Sequence, residues 1–304
     1  MNGNLRVSVI VPTHDRPDML AKALDSVFGQ TCLPEEVVVI NDASSESYSK
    51  VVKKLKPPSG LDLIYHRLES PLGGSGARNY GAKLARGDML MFLDDDDTWL
   101  PNKVENQLHI LEKRPEVGLV YSGRKVVDEN GNHLYTVVPQ LEGWIHKDLL
   151  KSNHIGITSA VAVRKEIFWK AGGFDLMLPA RQDYDLWIRI TALTAVAVDP
   201  EPTVCWLVHS QAGRQISSRP KKYEKAVEYL LKKYGNEYAL LSPVERRKAY
   251  AAQHIILADK FAQAGSRRKY LHALRAVTYY PSVSAVSRML PRSIWLKLRG
   301  IYNR

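Results

Sequence analysis

Four consecutive carboxylates, Asp94, Asp95, Asp96 and Asp97, follow directly on a short apolar run, residues 89–93 (MLMFL). Like charges so close repel one another unless a cation neutralises them. Hard oxygen ligands of this kind suit Mg2+ or Mn2+ held jointly with substrate phosphates. The rival reading is a solvated acidic turn that caps the next helix. The apolar run before the cluster and Trp99-Leu100-Pro101 after it favour metal binding. A glycine-rich stretch, Gly73-Gly74-Ser75-Gly76, lies upstream. It is neither a P-loop, since no Gly-Lys-Ser/Thr follows, nor a G-x-G-x-x-G dinucleotide fingerprint.

Such a cluster needs rigid elements to aim it. Residues 7–11 (VSVIV) are too apolar for an edge and read as a buried parallel strand. Pro12 ends it, and Pro17 suits the first turn of a helix for which Asp15 is available as a cap. Leu20, Ala23, Leu24, Val27 and Phe28 then form one apolar stripe. A second strand, residues 37–41, completes a right-handed βαβ unit. The alternation continues through a helix at 48–55, a strand at 63–67, a helix at 77–85, the strand at 89–93, a helix at 103–113 and a strand at 118–121. In open parallel sheets ligands bind beyond the carboxyl ends of the strands, which is where the four aspartates fall. Beyond Ser122 the order loosens. Strands are expected at 158–163 and 195–198 and helices at 165–171 and 184–193, while 125–157 carries little pattern. From about Lys221 only helical patterns remain, broken at Pro243, Pro281 and Pro291. The reading is an alternating α/β domain with a helical tail.

The chain has 304 residues, 45% hydrophobic and 25% charged, which excludes collagen-like, low-complexity and wholly disordered classes. Two cysteines, Cys32 and Cys205, make no disulfide framework and point to a reduced, cytosolic compartment. No apolar run approaches the ~18 residues of a spanning helix, and the N-terminus lacks a basic segment followed by an apolar one, so neither an integral membrane protein nor conventional secretion is expected. The net charge of +11 is unevenly placed. Residues 211–304 carry 20 Lys and Arg against 5 Asp and Glu, a net +15, and residues 1–210 are net −4. A uniformly basic nucleic-acid binder would not be partitioned in this way.

Five segments, in order, carry a resemblance: VSVIVPTHDRPDMLAKALDSVFGQT, VVVINDAS, GGSGARNYGAKLARGDMLMFLDDDDTWLP, GGFD and QDYDLWIRI. Together they resemble the family 2 glycosyltransferases over roughly residues 5–210. That resemblance implies a GT-A fold, a Rossmann-like, mostly parallel central sheet with flanking helices, here with a C-terminal helical extension. The implied domains are 1–210 for nucleotide-sugar binding and catalysis and 211–304 for the basic helical region. The family's D-x-D maps onto Asp94-Asp95-Asp96, with Asp96 on a Mn2+ or Mg2+ ion that bridges the diphosphate and Asp94 on the ribose or the metal. Asp97 is left to cap the following helix.

Other roles follow residue by residue. Pro12, Thr13, His14 and Asp15 leave the first strand beside the base, where relatives commonly carry an aromatic in place of His14. Asp42 resembles the carboxylate that accepts a hydrogen bond from the base, or is simply a turn residue. Arg78 resembles the arginine that reaches base or phosphate, against the reading of a surface helix arginine. Gln182-Asp183-Tyr184-Asp185-Leu186-Trp187 resembles Glu-Asp-x-x-Leu-Trp, which makes Asp183 the general base, with Gln182 in place of the family's Glu. Inverting transfer needs one base for the acceptor hydroxyl and a divalent cation for the leaving group. An N-terminal helix cap is the alternative role for Asp183, and the two can coexist. His209 matches a histidine near the metal or diphosphate, although Leu207 stands where relatives have an arginine; the alternative is an ordinary surface histidine.

Gln211-Ala212-Gly213-Arg214-Gln215 departs by one residue from the Q-x-x-R-W of processive synthases, so addition of one sugar is expected. The implied donor is UDP-linked and the acceptor a saccharide or lipid-linked saccharide of cell-surface polysaccharide or glycolipid synthesis. A nucleotidyltransferase or a non-catalytic membrane adaptor are the alternatives. Within residues 221–304, basic clusters alternate with aromatics, and residues 293–302 place Ile294, Trp295, Leu298 and Ile301 on one face of a helix. That pattern suits an anionic lipid surface, or equally a helix docked on the catalytic domain. The expected location is cytoplasmic or peripheral on the cytoplasmic face, with no nucleic-acid partner.

Overall fold

The computed structural model describes residues 5–46, 48–208 and 219–290. Strands β1 (Val7–Thr13), β2 (Glu36–Asn41), β3 (Asp62–Arg67) and β4 (Met89–Phe92) run parallel in the spatial order β3-β2-β1-β4. Between them run α1 (Pro17–Phe28), α2 (Ser49–Lys54) and α3 (Gly73–Leu84). β1 and β2 are buried at every position, as strands covered on both faces must be. α1 starts on Pro17 at its first turn and buries Leu20, Ala23, Leu24 and Val27, the expected stripe. Each of Leu20, Leu24 and Val27 contributes about 1.5–3 kcal/mol relative to exposure. α3 lies close on β1 because residue 81 is glycine: a Cβ there would stand 2.5 Å from Ile10 Cγ2.

The second half of the sheet is mixed. It is built from β5 (Thr98–Trp99), α4 (Lys103–Lys113), β6 (Val117–Val127), β7 (His133–Val137), α5 (His146–Lys151), β8 (Val161–Arg164), α6 (Lys165–Lys170), α7 (Gln182–Thr191) and β9 (Ala195–Leu207). β8 runs antiparallel between β4 and β6, β6 pairs parallel with β9, and β5 and β7 add antiparallel to β9 and β6. The result is an α/β fold with a mostly parallel mixed sheet and flanking helices. Register sets the working edge. Thr13 pairs with Asn41 and Ile10 with Phe92, so Thr13, Asp42 and Asp94 emerge together at the carboxyl ends.

Several expectations are corrected. α3 begins at Gly73 rather than 77, because the carboxylate of Asp42 accepts from the amides of Leu72 and Gly73 and anchors the glycine-rich stretch as helix. Asp15 does not cap α1. Its carboxylate accepts from the amide and hydroxyl of Ser45 instead. β6 and β9 run well past 121 and 198, and β7 and α5 occupy the segment that showed little pattern. Residues Thr158–Ala160 form a 3-10 turn, with the strand starting only at Val161.

The chain divides into two compact units. One comprises Met1–His146, His154–Leu176 and Gln182–Ser210, and the other Lys147–Asn153, Met177–Arg181 and Gln211–Arg304. The second holds α8 (Pro220–Lys233), α9 (Gly235–Ala239), α10 (Pro243–Gln263), α11 (Arg268–Tyr279) and α12 (Val283–Ser287). Ser242 and Glu245 close a capping box on α10. Inside the helical unit His254 lies 5.5 Å from both His272 and Tyr279, stacked on each. Burial pushes both histidines down to about 4, so they are neutral near pH 7. Among the described residues no helix is long and apolar enough to cross a membrane. Residues 211–215 and 293–302, on which the processivity and lipid-surface readings rest, lie outside the described residues.

Candidate active site

The acidic loop after β4 is pinned from three sides. Thr13 at the end of β1 donates its hydroxyl to Asp95 Oδ2 at 2.7 Å. Arg16 Nη1 donates to Asp95 Oδ1 at 3.2 Å and to Asp96 Oδ2 at 2.8 Å. Ser159, in the 3-10 turn before β8, accepts from the Asp94 amide at 3.1 Å and donates to Asp97 Oδ2 at 2.6 Å. Arg78, on α3, pairs with Asp94 and lies 5.5 Å over the Phe174 ring.

The four aspartates therefore part company. Asp95 turns inward, 6% exposed, and burial with the charge of Asp96 raises its pKa to about 6. Asp97 is also buried, and burial followed by the charges of Asp96 and Asp94 holds it well above the usual carboxylate range. It does not cap the next helix, since Asn102 occupies that position on α4 and the Leu207 amide donates to Asp97 at 3.3 Å. Carboxylate oxygens of Asp94, Asp96 and Asp97 all lie within 4.8 Å of one another, close enough to share one ion. The sequence assigned Asp94 and Asp96 to this task; Asp97 joins them, and His209 lies outside the described residues.

Arg16 and Arg78 answer these charges. Burial works against the cation of each, but the surrounding carboxylates outweigh it and raise both. For Arg78 those carboxylates are Asp94, then Asp183 and Asp96, so Asp183 at the start of α7 lies within electrostatic reach of Arg78. Asp183 Oδ1 accepts from the Tyr184 amide at 2.8 Å, the local contact of a first-turn carboxylate. Its neighbour Asp185 is fully buried and bound by Arg189 at 2.6 and 3.0 Å, which fixes the helix.

The nucleoside side is built from loop ends. His14 Nδ1 donates to the Asp42 carbonyl at 2.7 Å, and its Nε2 lies 3.4 Å from Asp15. Asp42, 7% exposed, holds Leu72 and Gly73 at 2.6 and 2.9 Å, which makes it the anchor of α3. Pro12 and Thr13 are the last two residues of β1, so Pro12 does not end the strand as expected, and the Thr13 carbonyl accepts from the Asp42 amide at 2.9 Å. Two buried polar atoms here lack any hydrogen-bond partner, Ser75 Oγ in the first turn of α3 and Arg78 Nε. Orphaned donors beside a helix N-terminus and a carboxylate trio fit a phosphate-bearing ligand and a divalent cation. Sequence reading missed Arg16 and Ser159. Arg16 directly follows His14-Asp15, a usable signal, whereas nothing near Ser159 marks it.

The sequence profile of glycosyl transferase family 2 matches residues 8–172. An uncharacterized glycosyltransferase of Haemophilus influenzae is 30% identical over 232 residues, covering 75% of this chain and 76% of that one. Among solved structures, S. aureus TarS 1-349 in complex with UDP-GlcNAc superposes with a TM-score of 0.59 at 17% identity, over 97% of this chain and 92% of that one. A mannosyltransferase from Pyrobaculum calidifontis in complex with GDP-Man and Mn2+ does so with a TM-score of 0.54 at 17% identity, over 99% and 88%. Likeness at this identity speaks for the shared fold.

Proposed function

The chain belongs to glycosyl transferase family 2, and from that premise we propose an inverting, metal-dependent transfer of a single sugar from a UDP-linked donor to a saccharide or lipid-linked saccharide. The observation that carries this reading is the meeting of Asp94, Asp96 and Asp97 with Arg78 and, in electrostatic reach, Asp183. Structural relatives bind UDP-GlcNAc in one case and GDP-Man with Mn2+ in another, which supports a nucleotide-sugar at this edge of the sheet.

In this reading Asp94 and Asp96, with Asp97 behind them, hold Mn2+ or Mg2+. When bound, the cation neutralises the charge that develops on the departing diphosphate, so no general acid is needed. Arg78 supplies its orphaned Nε to a phosphate, and Arg16 keeps Asp96 aimed. Pro12, Thr13, His14, Asp15 and Asp42 form the wall for base and ribose, with Asp95 locking that wall to the loop through Thr13. Asp183 takes the proton of the acceptor hydroxyl. The acceptor oxygen then bonds to the anomeric carbon from the face opposite the diphosphate, and the carbon–oxygen bond to the diphosphate breaks with its electron pair leaving on phosphate. Hexosyl transfer in cell-surface glycan or glycolipid synthesis, with the basic C-terminal region resting on the cytoplasmic face of a membrane, completes the proposal. It gains support from the net +15 of residues 211–304.

Thermal unfolding with UDP, GDP, dTDP and CDP, each with and without Mn2+, tests it. UDP at ~100 times its dissociation constant should add about 2.7 kcal/mol, and only with Mn2+ present. Asp96→Ala should lose the Mn2+-dependent part. A protein that no nucleotide stabilises would sink the proposal.

A further inference from the structure

Arg124, on β6, is a half-buried cation for which the reaction above has no task. Arg6, Arg16, Arg78, Arg86 and Arg114 all have their pKa raised by carboxylate partners, whereas burial pulls Arg124 down. Its Nε is shut off from solvent without a hydrogen-bond partner, and no ion pair holds its guanidinium among the described residues. Aromatic and backbone surfaces hold it instead. The guanidinium lies 5.3 Å over the Trp206 ring. It also lies against the backbone of Gly156, where a Cβ would stand 2.6 Å from Nη1. Gly156 has φ +92°, so glycine serves there both for the close approach and for the left-handed backbone.

Two carboxylates, Asp97 and Asp183, act on the Arg124 charge without bonding to it. Shutting the Nε of a cation off from water is unfavourable unless something pairs with it. Leaving such a group uncommitted makes sense when a ligand brings the missing charge, because guanidinium donors match carboxylate and phosphate oxygens two at a time. Arg16 and Arg78 already serve the acidic loop, two strands away across β8.

We propose that Arg124 binds an oxyanion, a carboxylate or phosphate group carried by the transferred sugar or by the acceptor, within the electrostatic reach of Asp183. The place of Asp183 in that statement rests on the glycosyl-transfer reading. The chemistry itself, one anionic group on one aromatic-backed arginine, rests on β6 and its neighbours alone.

Calorimetric titration of wild type, Arg124→Gln and Arg124→Lys tests it with four probes, each with Mn2+: UDP, UDP-glucose, UDP-glucuronate, and inorganic phosphate added to UDP-saturated protein. Arg124→Gln should bind UDP and UDP-glucose within about twofold of wild type. It should lose tenfold or more for UDP-glucuronate if the oxyanion rides on the sugar, or for phosphate if it rides on the acceptor. An equal loss for UDP would assign Arg124 to the donor diphosphate and overturn the proposal, as would a wild type that neither prefers UDP-glucuronate to UDP-glucose nor binds phosphate. Should the Gln variant fail to fold, Arg124→Lys, which keeps charge and stem but not the fork, should still lose threefold or more on the same probe. Wild-type binding by the Lys variant would mark Arg124 as a packing residue and overturn the idea. If wild type binds no nucleotide, the glycosyl-transfer reading fails on its own, and phosphate titrated onto nucleotide-free wild type and Arg124→Gln still decides whether Arg124 holds an oxyanion.

Discussion

At the carboxyl edge of the parallel half, β3-β2-β1-β4, the charged side chains are tied to one another. Asp42 holds the first amides of α3, Arg78 pairs with Asp94, and Arg16 bridges Asp95 and Asp96. The interior of the mixed half holds cations of another kind. Arg124 lies on Trp206 and Lys103 lies 5.1 Å over Trp99, and neither forms an ion pair among the described residues. The contrast appears in their acidities: carboxylates raise Arg16 and Arg78, while burial lowers Arg124 and Lys103. A preformed constellation can stabilise a charge that appears at a fixed place. An uncommitted cation waits for a ligand that supplies the counter-charge. The parallel half thus suits the diphosphate common to nucleotide donors, and the mixed half the part of the substrate that distinguishes one transferase from another.

The sharpest way to break this contrast is to remove the proposed base, Asp183, from the mixed half and ask whether the parallel half notices. Asp183→Asn keeps an oxygen for the Tyr184 amide, so α7 should start normally. Transfer should fall by about 10²–10⁴, the usual contribution of a general base. Affinity for UDP with Mn2+ should stay within about twofold. Transfer surviving within tenfold of wild type would remove Asp183 from its role, and a matching loss of nucleotide affinity would mean that the halves do not divide the work.

A smaller effect is expected at the seam. Ser159 binds both Asp94 and Asp97 from the turn before β8, and its own carbonyl accepts from Trp99 Nε1 at 2.9 Å. Ser159→Ala leaves a buried carboxylate and a buried amide without that partner. Unfolding free energy should drop by about 1–3 kcal/mol in denaturant titration. Mn2+ affinity measured alongside sharpens the point. Unchanged affinity would mean that Arg16 and Arg78 alone aim the metal carboxylates; a tenfold loss would make Ser159 part of the metal support.

How much of this was legible follows the same division. Strands such as VSVIV and MLMFL are buried on both faces, so apolar runs bounded by Pro12 and Asp94 announced them in the sequence. Their carboxyl ends then located Asp42 and the aspartate cluster. β6 and β9 extend through SGRKVV and DPEPTV, polar stretches with a register irregularity between Ser122 and Arg124, and no two-residue alternation survives there to read. Nothing in the sequence marks Arg124, because its enclosure depends on Gly156 and Trp206, 32 and 82 positions away along the chain. The separate partners of Asp95 and Asp97 were equally hidden. Identical residues two positions apart differ only in what three-dimensional neighbours reach them, Thr13 and Arg16 for one and Ser159 for the other.

Lys103 offers the last and smallest test, since it asks whether the mixed half tolerates buried cations by neutralising them. Its Nζ is fully enclosed and donates to Gln107 Oε1 at 2.8 Å and to the Ala160 carbonyl at 3.2 Å. Burial brings its pKa down to about 7 against some opposition from Asp199. Between about pH 7 and the ordinary lysine value near 10.5 the unfolded chain binds a proton that the folded chain does not. Stability should accordingly rise with pH across that window and flatten below about 7, where both states are charged. The slope from one such group cannot exceed about 1.4 kcal/mol per pH unit, and the pull of Asp199 narrows the window by holding the folded value up. Lys103→Met preserves the stem against Trp99 and removes the titration. Denaturant unfolding of the two proteins at pH 7, 8 and 9 should converge as pH rises, with the variant changing least. Parallel curves would show that Lys103 stays charged inside the fold, and the mixed half would then hold its cations against the cost of burial, which strengthens the case that Arg124 does the same.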